Sequence, residues 1–135
     1  MNLSGDDILG LARAVQADEC RKSFYYFVKT FWAVIIPEVP VFNWHIEYIC
    51  KELQDLSYYI VNRLPKPYDI IINIPPGSTK STIVTIMWHP WLWTQDPRLR
   101  VISNSYSGDL SLEHASKSKD IITSDLYRTL FPEII

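Results

Sequence analysis

The chain has 135 residues, 47% of them hydrophobic and 13% aromatic, and a formal charge of -2. Such a composition excludes a disordered chain and suits one ordinary domain, or a piece of a larger one, with enough apolar surface for a real core. The charge excludes a global basic field, so any contact with nucleic acid must be local or come from another domain or subunit.

Ser4 with Asp7 three residues later has the form of a capping box, and Ile8, Leu11, Ala12 and Val15 then recur at helical spacing, so the chain should open with an amphipathic helix. Phe24, Phe27, Val28, Phe31, Trp32 and Ile35 form a second stripe of the same period, closed by Pro37 and Pro40. The run "SFYYFVKTFWAVIIP" is interrupted by Lys29 and falls short of the roughly 20 residues a bilayer span needs, so no membrane protein is expected. Asn43 can cap a third helix, in which Ile46, Ile49, Cys50, Leu53, Leu56 and Ile60 face one way until "LPKP" stops it. Residues 1–66 thus read as a helical N-terminal segment. Cys20 and Cys50 fit no CxxC pattern and read as reduced core thiols of a cytoplasmic protein.

From residue 67 to 135 the pattern changes. "YDIIINI" is a short, continuous, β-branched run of the kind that forms a strand buried in a parallel sheet. "PPGSTK" follows as a turn and "STIVTIMW" as a helix up to Trp88, with Pro90 starting a new short helical turn, "PWLW". "TQDPR" is a loop and "LRVISNS" a second candidate strand. Ser107 can cap the next helix, and "SDLYRTLFP" adds a last short one. The expected fold class is therefore α/β, the beginning of a parallel βαβ sheet after a helical segment.

The stretch "DIIINIPPGSTKST" carries the chemistry. A phosphate loop works because backbone N–H groups and a helix N-terminus converge on an anion, a lysine reaches the β/γ-phosphates and the next hydroxyl binds Mg²⁺. Lys80 and Ser81 stand in the right order after an apolar run, but the glycines of G-x-x-x-x-G-K-[ST] fall on Ile74 and Thr79. A β-branched residue suits a positive φ poorly. On these residues alone Lys80 is either a phosphate ligand or a solvated lysine on a strand-to-helix turn.

"INIPPGSTKSTIVTIMWHPWLW" followed by "RLRVISNSYSGDLSLEHASKSKDIITSDLYRTLFP" resembles the N-terminal part of the ATPase domain of tailed-phage terminase large subunits, the motors of viral DNA packaging. The similarity runs over residues 24 to 135. It implies a P-loop fold in which Pro76, Gly77, Ser78, Thr79 and Lys80 wrap the phosphates of ATP, Ser81 binds Mg²⁺ and Thr82 adds a contact. His45, in "FNWHIEYICKEL", would lie near the adenine. Implied partners are double-stranded viral DNA, the portal protein, the small terminase subunit and further copies in a ring, in the cytoplasm of a bacterial host. No apolar run ends in Asp-Glu to organise Mg²⁺ and activate water, and no nuclease carboxylate cluster follows. The expectation is thus an amino-terminal fragment that does not turn over ATP alone. The alternatives are a truncated, non-catalytic prophage remnant that at most binds nucleotide, and another P-loop enzyme such as a helicase or small kinase.

Overall fold

The computed structural model describes residues 2–77 and 79–134. Six α-helices follow in order: α1 Gly5–Lys22, α2 Phe24–Ile35, α3 Trp44–Val61, α4 Trp88–Gln95, α5 Gly108–Thr123 and α6 Asp125–Leu130. A π-helical turn, Thr82–Met87, runs directly into α4, and a 3₁₀ turn, Pro132–Ile134, closes the chain. No helix among the described residues is long and apolar enough to cross a membrane.

The helices begin where local chemistry satisfies their first N–H groups. Ser4 and Asp7 form the reciprocal capping box of α1. Ser23 closes α1 and opens α2, its Oγ accepting from Tyr26 N, while Ser107 Oγ accepts from Leu110 N and Ser124 Oγ from Tyr127 N. The last carbonyls of α1 are met from outside the helix. Trp91 Nε1 donates to Cys20 O at 2.8 Å, Gln95 Nε2 to Arg21 O at 2.8 Å and Gln54 Nε2 to Lys22 O at 2.9 Å. Gln54 also accepts from Phe24 N, so one side chain clasps the junction of α1 and α2.

The aromatic stripe of α2 makes the core. Phe24, Phe27, Val28 and Phe31 are buried, together with Tyr127 and Phe131 from the end of the chain. Phe27 stacks on Phe31 with centroids 4.4 Å apart, and Tyr127 meets Phe131 at 5.0 Å, contacts that add about 0.5–1.5 kcal/mol each beyond the area they bury. The inner faces of α3 and α4 close the same core through Ile46, Ile49, Leu53, Trp91 and Leu92. Cys20 and Cys50 are free and buried, and burial pushes their thiols up to about 11 and about 12. Both therefore stay protonated near neutral pH.

Two expectations are corrected. Among the described residues there is no β-strand, so the α/β fold with a parallel P-loop sheet is overturned. The segments that were to form it, 68–74 and 99–105, run outside any helix, and no backbone-to-backbone hydrogen bond is made by residues 68–74 or 100–105. An apolar β-branched run favours extended backbone, but a strand exists only where a neighbour completes its ladder. Residues 68–74 keep half of the strand pattern even so: Ile70, Ile72 and Ile74 pack against the core, whereas Ile71 is 84% exposed.

The second correction concerns Pro90, which lies inside a continuous helical run rather than opening a new turn. Proline removes the N–H that would bond the carbonyl four residues earlier, here that of Ile86. The buried Ser118 supplies the missing donor, its Oγ lying 2.8 Å from Ile86 O, and the π-helical turn makes the local adjustment that the ring requires. Tyr127 Oη also donates to Pro90 O at 2.8 Å, tying the same turn to α6.

Candidate functional site

The residues singled out in the loop form a turn between the extended segment and the π-helical turn. Pro76 and Gly77 make the bend, with Gly77 at φ +81°; Ser78 lies outside the described residues. Thr79 takes φ +61°, a left-handed conformation that its branched Cβ disfavours by about 1–2 kcal/mol. Lys80 is half-buried, Ser81 is exposed and Thr82 begins the π-helical turn, and Ile83 N donates to Thr79 O at 3.1 Å. Among the described residues of this loop, 76, 77 and 79–82, none lines any of four surface cavities. Nor is there, among the described residues, a group of three His, Cys, Asp or Glu side chains able to hold a metal ion.

His45 is drawn into a different place. It lines a cavity of about 430 Å³ between the outer face of α3 and the extended segment, with Trp44, Tyr48 and Glu52 on the helix side and Tyr68, Asp69 and Ile71 on the other.

The sequence reading missed the outer face of α3. Trp44, Tyr48 and Glu52 are spaced four residues apart and so follow one line along the helix, opposite the buried Ile46, Ile49 and Leu53. Trp44 is 79% exposed and Tyr48 58% exposed. Their periodic spacing was the available signal, overshadowed by the aliphatic stripe of the inner face. Close by, Lys51 bonds Asp55 at 2.8 Å, Arg63 bonds Asp96 at 3.2 Å and Lys66 bonds Asp69, so the cations nearest in sequence are already paired.

A second cavity of about 500 Å³ lies between α4, α5 and residues 101–105. In it Ser103 Oγ and His89 Nε2 stand 3.4 Å apart, and burial lowers the His89 pKa, which keeps the ring neutral at pH 7. A serine nucleophile needs a base that is itself oriented by a third group. No carboxylate hydrogen-bonds the His89 ring among the described residues, and the pair does not amount to a hydrolytic centre.

No protein-family model, no curated protein and no solved structure matches the chain. With the sheet absent, this removes the resemblance to terminase large subunits. A phosphate loop is held in place by the strand before it and the helix after it, within a sheet that supplies the acidic residues. Without that frame, the readings as Walker A loop, ATPase and DNA-packaging motor are corrected, as are the alternatives of a nucleotide-binding prophage remnant and another P-loop enzyme. The roles of Pro76, Gly77, Ser78, Thr79, Lys80, Ser81, Thr82 and His45 toward ATP and Mg²⁺ came from the loop pattern and that resemblance, and the partners portal protein, small terminase subunit and viral DNA from the resemblance alone.

Proposed function

We propose that the chain is a protein-interaction module whose helical body presents residues 68–74 as an edge for pairing with an extended segment of a partner polypeptide. One observation carries this reading: the segment lies outside any helix and packs through alternate isoleucines, as an extended edge does, yet makes no backbone-to-backbone hydrogen bond. Unpaired backbone donors and acceptors along such an edge form a template for strand addition, in which the ladder supplies affinity and pockets for alternate side chains supply specificity. The groove along α3 is a pocket of that kind, bordered by the edge itself. Residues 100–104 are likewise without backbone-to-backbone bonds, but Val101, Ile102 and Ser103 are all exposed, so they lack the alternate anchoring that holds 68–74 in register.

The test is the affinity of a capped, fluorescent nonapeptide of alternating valine and threonine with one central arginine, measured by anisotropy. Saturable binding is expected, with loss when alternate peptide nitrogens on the ligand are methylated, because each methyl removes a ladder donor and leaves the protein untouched. Ile72→Pro should weaken binding in the same way from the protein side. Equal binding of the methylated and unmethylated peptides would overturn the reading.

A further inference from the structure

The groove beside residues 68–74 has a composition of its own, and it points to the chemistry of what enters it. Trp44, Tyr48 and Glu52 succeed one another along one line of α3, with Tyr68 facing them from the extended segment. Two aromatic faces left largely in water beside a carboxylate are an uncommon use of surface, since large exposed apolar patches on soluble domains usually mark contact sites. Glu52 is half-buried and makes no hydrogen bond or ion pair among the described residues. The cations nearest to it in sequence make their ion pairs with other carboxylates, Lys51 with Asp55, Arg63 with Asp96 and Lys66 with Asp69. A carboxylate beside two aromatic faces, with no hydrogen-bonded partner of its own, is a lining that a cation can complement.

We propose that this groove is a binding site for an organic cation, a basic side chain of the strand that docks on residues 68–74; the choice of ligand source rests on the strand-docking reading above. A guanidinium meets both demands of the lining. Its plane stacks on the indole and phenol faces, which attract cations through their quadrupoles, while its N–H groups donate to the Glu52 carboxylate. The same geometry sets a period for the ligand. Alternate residues of an added strand point to the same face, so one basic residue enters the groove and its neighbours two positions away lie against the apolar edge.

The experiment compares two nonapeptides identical except for a central arginine or citrulline, which have the same shape and differ in charge. On the wild-type chain the arginine peptide should bind about tenfold tighter or more. That advantage should vanish in Glu52→Gln, which leaves the core untouched, and should shrink in Trp44→Ala. If both peptides bind the wild type equally while backbone methylation still abolishes binding, the cation site is overturned and strand docking stands. If neither peptide binds, strand docking is overturned, and methylguanidinium decides the groove by itself. A shift of the Trp44 indole resonance that is lost in Glu52→Gln upholds the site, and no shift overturns it.

Discussion

Helix α2 and residues 68–74 are equally apolar and end oppositely. In α2 the helical ladder, with Gln54 accepting from Phe24 N and Ser23 from Tyr26 N and Phe27 N at its start, lets Phe24, Phe27, Val28 and Phe31 be buried with their backbone donors met. Residues 68–74 bury Ile70, Ile72 and Ile74 only in part, and their backbone groups have no neighbouring strand. Hydrophobicity brings both segments to the body. Self-sufficiency of the backbone separates a segment that completes the fold from one that offers itself to a partner.

Substitutions in the two regions should therefore have unequal effects. Phe27→Ala removes a fully buried ring stacked on Phe31 and should cost about 3–5 kcal/mol in urea denaturation. Ile71→Ser, on the exposed side of the edge, should change stability by less than about 0.5 kcal/mol. Comparable losses at the two positions would break the contrast. Ser118→Ala comes next: with Ile86 O left buried and unmet beneath Pro90, a loss of about 1–3 kcal/mol is expected, and Pro90→Ala in the same background should recover part of it by restoring the helical N–H. A Ser118→Ala protein as stable as the wild type would refute that account of the proline.

Smaller effects sharpen the borders of the two regions. Thr79→Gly should raise stability by up to about 1 kcal/mol, because glycine accepts φ +61° without strain, partly offset by its greater freedom when unfolded. A destabilised variant would mean that the Thr79 side chain contributes more than its backbone costs. Asp96, at the end of α4, is held at about 2 by hydrogen bonds from the Arg98 side chain and backbone, with the Arg63 charge assisting. An unfolded aspartate titrates near about 3.9, so the native state favours the ionised form; this stabilisation is complete above that value and is lost as pH falls from about 4 toward about 2. In Asp96→Asn the fall in stability across that acid window should be shallower than in the wild type, and an identical acid transition would remove Asp96 from the account.

Much of the helical half was legible because its signals are local. The Ser4 and Asp7 box, the α2 stripe closed before Pro37, and the serines at 107 and 124 each act within one turn. The sheet was misread because "YDIIINI" and "LRVISNS" state a preference for extension, whereas pairing depends on chains lying alongside. Pro90 was misread for a similar reason, since the donor that lets the helix continue stands 32 residues beyond the carbonyl it serves. In the candidate groove, His45 was singled out for a role borrowed from a resemblance, while Trp44, Tyr48 and Glu52 carried the pattern. Their spacing along α3 is visible in the sequence, but the unpaired state of Glu52 appears only once Lys51 and Lys66 are seen bonded elsewhere.

The most direct test is amide hydrogen exchange of Ile70 to Ile74 beside that of α2, first in the chain alone and then with the arginine nonapeptide bound. The account predicts that α2 amides are protected throughout, while the 70–74 amides exchange freely in the chain alone and alternate ones become protected on binding. Protection of the 70–74 amides in the chain alone, or free exchange of all of them in the saturated complex, would contradict it.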